Sequence, residues 1–138
     1  MSSPPEEDIR RTLARYCMLC DDGRFDDLAE LFAEQATFRV KGRSIEGRGA
    51  IRELMAKSFG PDQRGKHLSV NPLIKVDGWG GTAKAWSDYV FVDHSGAITD
   101  QGRYHDELER EGDKIWRLTV REVVFQGDDP VATQPPPA

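Results

Sequence analysis

Apolar residues recur at helical spacing in the first half of this chain and at alternating positions in the second half. Ile9, Leu13, Tyr16, Cys17 and Cys20 form one stripe, which predicts a helix that starts after Pro5 and ends at Gly23. Glu6, Glu7 and Asp8 suit its positive end. A second helix is expected from Phe25 to Ala33, with Leu28, Leu31 and Phe32 turned inward, and a third from Ala50 to Phe59. Between them, Thr37 to Val40 and Ser44 to Glu46 read as short strands about a Lys41-Gly42 turn. The pattern then changes to strands: His67 to Val76, Thr82 to Val92, Gly102 to Glu109 and Ile115 to Phe125. Pro72 inside the first of these implies a bulge or an edge position. Helices first, then long hairpin-connected strands, predict an α+β fold with helices covering one face of a mostly antiparallel sheet.

The 138 residues suffice for one domain, placed at 6–126. Residues 1–5 and the proline-rich 127–138 read as disordered. The net charge of −5, with scattered lysines and arginines, argues against nucleic acid or an anionic membrane as partner. No apolar run approaches a membrane span, and the N-terminus has neither the basic start nor the apolar core of a signal peptide, so a cytoplasmic protein is expected. Cys17 and Cys20 lie near the C-terminal end of their helix, where the dipole disfavours a thiolate, and no second pair completes a zinc site. They read as core residues.

Candidate chemistry is sparse. No phosphate loop, dinucleotide fingerprint, nucleophile elbow or metal-spaced cluster is present in the sequence, so neither cofactor nor metal is expected. Asp21 stands where the first helix ends. It is either a turn residue beside Asp22-Gly23 or the partner of a distant base. His67, Ser69 and Asn71 share a face under strict alternation, which suits either a polar pocket or a solvated edge. His94 falls in a turn. Tyr104, Asp106 and Leu108 share a face, His105 points the other way, and a buried Asp106 would need Arg121 of the next strand as partner. Trp86, Tyr89, Phe91 and Tyr104 suit an aromatic ligand or an ordinary core.

The order of many short motifs resembles the SnoaL-like branch of the nuclear-transport-factor-two-like superfamily. They run from Ile9, Tyr16 and Asp21-x-Gly23-x-Phe25-Asp26-x-Leu28 through Ile45-x-Gly47, His67-x-x-x-Asn71, Val76-x-Gly78 and Ala83-x-Ala85. Gly102-x-Tyr104-x-Asp106 and Trp116-Arg117-Leu118-x-x-Arg121 complete the series, which covers residues 6–126. The resemblance implies a cone-shaped roll: a curved, mostly antiparallel sheet with three N-terminal helices closing a pocket. It further implies that Asp21 and His67 form the acid–base dyad of the dehydratase and dehydrochlorinase members. Tyr16 is similar to the tyrosine that donates to substrate oxygen in the ketosteroid isomerase. That isomerase's base would fall near Val40, which cannot act as one. The expectation is a cofactor-free lyase of dehydratase type acting on a small hydrophobic or polycyclic substrate. Asp21 and His67 would be catalytic, with Tyr16, Asn71, Trp86 and Tyr104 contacting substrate. The alternatives are a related isomerase or cyclase, or a non-catalytic ligand-binding or dimerisation module. The exposed outer face of such a sheet, apolar along Trp86 to Val92, predicts a homodimer.

Overall fold

The computed structural model describes residues 4–127. The expected disorder of the termini falls mainly on 1–3 and 128–138, outside the described residues; Pro5 is already helical. Helix α1 spans Pro5–Asp21, α2 Phe25–Ala29 and α3 Arg48–Ser58. The strands are β1 Phe32–Val40, β2 Arg43–Glu46, β3 Lys66–Val76, β4 Thr82–Val92, β5 Ile98–Arg110 and β6 Trp116–Phe125. They form one mixed sheet in the order β2-β1-β6-β5-β4-β3. Every pairing is antiparallel except β1 with β6. This is the α+β fold, helices on one face of a mostly antiparallel sheet, that the element order predicted, with the curvature that the family resemblance implied.

Helix α1 ends in a Schellman motif. The N–H of Arg24 donates to the carbonyl of Leu19 and that of Gly23 to Cys20, satisfying two otherwise orphaned carbonyls. The motif needs a left-handed residue, and Gly23 supplies φ +72° without Cβ strain. Ile9, Leu13, Tyr16, Cys17 and Cys20 are all buried, as the stripe predicted. Thr12 donates to the Trp116 carbonyl at 2.8 Å, fixing the helix to β6.

The second helix is shorter than its apolar pattern predicts. Phe32 is a strand residue, paired with Leu118 of β6, rather than the inner face of a helix running to Ala33. Its carbonyl accepts from Nε and Nη2 of Arg48 at 2.9 and 2.7 Å, and Arg117 Nε reaches the Glu30 carbonyl at 2.8 Å. Two guanidinium groups thus satisfy the backbone where the helix gives way to the strand. Helix α3 starts two residues before the expected Ala50, after Gly47 at φ +94°, and ends at Ser58. Strand β5 begins at Ile98, four residues before expectation, because β4 pairs with it through Val92. The register of β3 on β4 shifts between Val70 and Leu73, around Asn71 at φ +55° and Pro72. The proline thus marks both a bulge and an edge strand.

The core lies between α1 and the inner face of β1, β4, β5 and β6, where Phe32, Leu108, Trp116 and Leu118 are sealed from solvent. Phe32, at 0% exposure, should lose about 3–5 kcal/mol of unfolding free energy on truncation to alanine. Ile98→Ala, at 62% exposure, should stay within about 0.5 kcal/mol of the parent. Urea denaturation of both variants checks the contrast.

Candidate active site

Asp21 is the last residue of α1, and His67 the second of β3. The Schellman turn holds the first in place, and pairing of His67 with Phe91 on β4 holds the second. Asp21 Oδ1 lies 2.7 Å from His67 Nδ1. The same carboxylate accepts the backbone N–H of His67, with Oδ1 at 3.0 and Oδ2 at 3.1 Å. Both side chains are nearly sealed, at 5% and 6% exposure. A carboxylate accepts, so the contact places a proton on Nδ1, and in the neutral ring that tautomer leaves the lone pair on Nε2. Among the described residues Nε2 has no hydrogen-bond partner. The ring is gripped by Phe59 and Phe91, centroids at 4.9 and 4.8 Å.

His67 stands between two hollows. On one side is a cavity of about 360 Å³ inside the roll, with Tyr16, Phe38, Phe59, Tyr89, Tyr104 and Phe125 in its wall. On the other is an open groove of about 540 Å³ between α1 and β3, which Asp21 also lines. The imidazole therefore reaches the interior while the carboxylate stands behind it. Val40 also lines the cavity, where the isomerase resemblance would put a base.

Tyr16 and Tyr104 present hydroxyls in this cavity. The Tyr16 hydroxyl makes a long contact, 3.7 Å, to Met55 Sδ, a weak acceptor, and the ring lies against the Arg121 guanidinium. Burial raises the pKa of both phenols far above the ordinary value, although the charge of Arg121 pulls the other way. Each therefore remains a neutral donor. Across the cavity Tyr89 donates to Asp100 at 3.1 Å and stacks on Tyr104 with centroids 4.4 Å apart. Burial likewise raises the thiols of Cys17 and Cys20, as expected of core cysteines.

Two of the expected substrate contacts are elsewhere. Asn71 lines a separate hollow with Leu73, Trp86, Asp88 and Arg103 on the outer face of the sheet. The bulge at Asn71 breaks the alternation that would have kept it with His67 and Ser69. Trp86 follows β4 parity: Ala85 and Tyr89 belong to the core cluster, so Trp86 points outward. That parity was available in the sequence. Lys41, Met55, Phe59 and Asp100 line the cavity without having been singled out. The helical stripe of α3 was the available signal for Met55 and Phe59; no comparable signal marked Lys41 or Asp100.

The sequence matches the SnoaL-like domain over residues 2–122. The chain belongs to this family. Structural relatives of this SnoaL-like domain include a protein of unknown function from Mycobacterium tuberculosis, 30% identical, with TM-score 0.79 over 86% of this chain and 74% of that one. A nuclear-transport-factor-two-like protein with a cystatin-like fold from Novosphingobium aromaticivorans is 27% identical, with TM-score 0.80 over 92% and 85%. A candidate scytalone dehydratase from the same organism is 22% identical, with TM-score 0.76 over 88% and 83%, a likeness of fold. No curated protein matches the chain.

Removing the carboxylate should cost stability as well as order. Asp21→Ala leaves the His67 N–H and Nδ1 without their acceptor, at about 1–3 kcal/mol. Asp21→Asn, whose amide oxygen can still accept from the backbone, should lose less. Chemical denaturation measures both, and the nitrogen NMR shifts of His67 should show the loss of the single tautomer in Asp21→Ala.

Proposed function

We propose that this domain is a lyase of dehydratase type, acting on an aromatic or polycyclic hydroxy-carbonyl compound. The observation that carries the reading is the imidazole of His67, fixed by Asp21 from behind and presented to a cavity walled by aromatic rings. A cavity of about 360 Å³ suits a ligand of one or two fused rings. The fold likeness to a candidate scytalone dehydratase is compatible with this chemistry.

In this mechanism Nε2 takes the proton from the carbon beside a carbonyl, and Asp21 stabilises the imidazolium. The C–H electron pair forms the enolate C=C bond to the carbonyl carbon while the carbonyl π pair moves onto oxygen. Tyr16 and Tyr104 donate to that oxygen. The enolate then re-forms C=O, and its C=C pair becomes the product double bond to the carbon that bears the leaving hydroxyl. The C–O bond to that hydroxyl breaks, and the imidazolium returns its proton to the departing oxygen, releasing water. The apolar rings of Phe38, Phe59 and Phe125 in the cavity wall lower the local polarity and strengthen each of these interactions.

Hydroxylated bicyclic ketones, followed by the absorbance of the conjugated product, provide the test. His67→Ala should lose about 10²–10⁴-fold in turnover with the fold intact by circular dichroism, and Asp21→Asn somewhat less. Full turnover by His67→Ala would refute the mechanism. Tight binding across the panel with no turnover in the parent would replace it with a ligand-binding module.

We also propose that the outer face of the sheet pairs two copies of the chain. Leu68, Val70 and Leu73 are exposed on β3, and Trp86 packs beside Leu73 on that face. Light scattering should give the mass of a dimer at micromolar concentration; a monomer there would rule this assembly out.

A further inference from the structure

Helix α1 closes on negative charge. Asp21 is its last residue, Asp22 caps it, and its last turn carries no basic side chain. The carbonyl ends there favour a cation. One arrives from elsewhere in the chain. Arg64, in the segment between α3 and β3, lays its guanidinium on the Gly23 turn. The approach is so close that a Cβ at Gly23 would collide with Cζ and both terminal nitrogens. Gly23 is thus required for space as well as for its left-handed φ. The charge is felt in the last turn of the helix: burial raises the Cys20 thiol, and Arg64 is one of the cations that pull the other way.

The same guanidinium meets two further elements. Its Nε donates at 3.1 Å to the carbonyl of Phe59, the cap residue of α3. Its Cζ lies 5.8 Å from the ring centroid of Phe25, the first residue of α2. Each of these partners is a backbone group or a ring, and none is a carboxylate. Arg64 therefore brackets the ends of α1, α2 and α3, three residues before His67.

The imidazole leaves a task for this bracket. The 2.7 Å bond to Asp21 fixes one axis, about which the ring can still swing. Phe59 and Phe91 close that swing, with centroids 4.9 and 4.8 Å from the imidazole. Phe91 is held by β4 and its pairing with His67. Phe59 lies just past α3, with its N–H on the Met55 carbonyl and its own carbonyl on Arg64. We propose that Arg64 is a positioning residue of the dyad, holding Phe59 against the imidazole so that Nε2 stays aimed into the cavity. The Gly23 turn and the Phe25 ring anchor the guanidinium, and Nε carries that anchorage to Phe59. The catalytic half of the proposal rests on the dyad reading above; the structural half can be read without a substrate.

The Nδ1 proton of His67 is the probe, because its NMR signal persists only while the ring stays on Asp21 and away from water. Arg64→Met keeps an apolar stem and loses the charge and the donor. Exchange of the Nδ1 proton with water should quicken about tenfold in this variant, with secondary structure unchanged by circular dichroism. On the bicyclic ketones its kcat should fall about tenfold with KM within about twofold. Arg52→Met removes an equal charge from α3, where Arg52 pairs with Asp26, and should leave both quantities at parent values. Phe59→Leu should itself quicken the exchange, and adding Arg64→Met to it should change little further, since the arginine acts through that ring. Arg64→Lys keeps the charge but loses the planar fork, and should fall between parent and Arg64→Met. Should Arg64→Met not fold, Arg64→Lys carries the same comparison. Parent-like exchange in a folded Arg64 variant overturns the proposal. So does an equal change in Arg52→Met, full additivity in the double variant, or a parent with no protected Nδ1 signal. Quickened exchange with unchanged kcat overturns the catalytic half. Quickened exchange alongside a parent that turns over none of the ketones supports the positioning and removes the dehydratase reading instead.

Discussion

One carboxylate at the wrong end of a helix holds the site together. Asp21 closes α1, where the macrodipole disfavours negative charge. It is retained there by three donor contacts from a single residue: two from the backbone N–H of His67 and one from its ring. The same atoms fasten the helix to the edge strand and fix the tautomer of the imidazole. Replacing the pair by packed hydrocarbon would keep the first effect and lose the second, so the arrangement serves the cavity more than the fold.

A second electrostatic anchor lies deeper. Asp106 and Arg121 link neighbouring strands, and the guanidinium backs the tyrosine rings that line the same cavity. The two anchors enter from different directions. Asp21 acts from α1 onto β3, whereas Arg121 acts from β6 onto α1 and β5. Tyr16 touches both, standing edge-on to His67 at 6.4 Å and against Arg121. Its place on the middle of the apolar stripe of α1 therefore sets the distance between the basic nitrogen and the hydroxyl donors.

Much of this was legible in the chain because the deciding signals are local. Gly23 marks the end of α1 and so places Asp21; the alternation of β5 puts Tyr104 and Asp106 on one face and points to Arg121. The errors have physical causes. Phe32 follows a helical stripe, but its partner Leu118 lies far along the chain, and that pairing overrides the local pattern. Pro72 signals a bulge without saying which neighbour changes face, and Asn71 was lost to that ambiguity. The aromatic character of Trp86 suggests a ligand contact, but its parity relative to Tyr89 places it on the outer face. The contact of Arg121 with two tyrosines depends on how α1 lies over the sheet, which no periodicity encodes.

The strand order carries a consequence for how the molecule comes into being. β6, the last strand of the described residues, lies between β1 and β5 in the sheet. During synthesis the helices and β1 emerge first, yet β1 has only the short β2 beside it until the far end of the chain arrives. Phe32 and Phe38 are then left without the neighbours that later enclose them. Such long-range closure makes assembly slow and leaves apolar surface open to aggregation meanwhile. The helices that later wall the cavity are positioned to cover that surface during the wait.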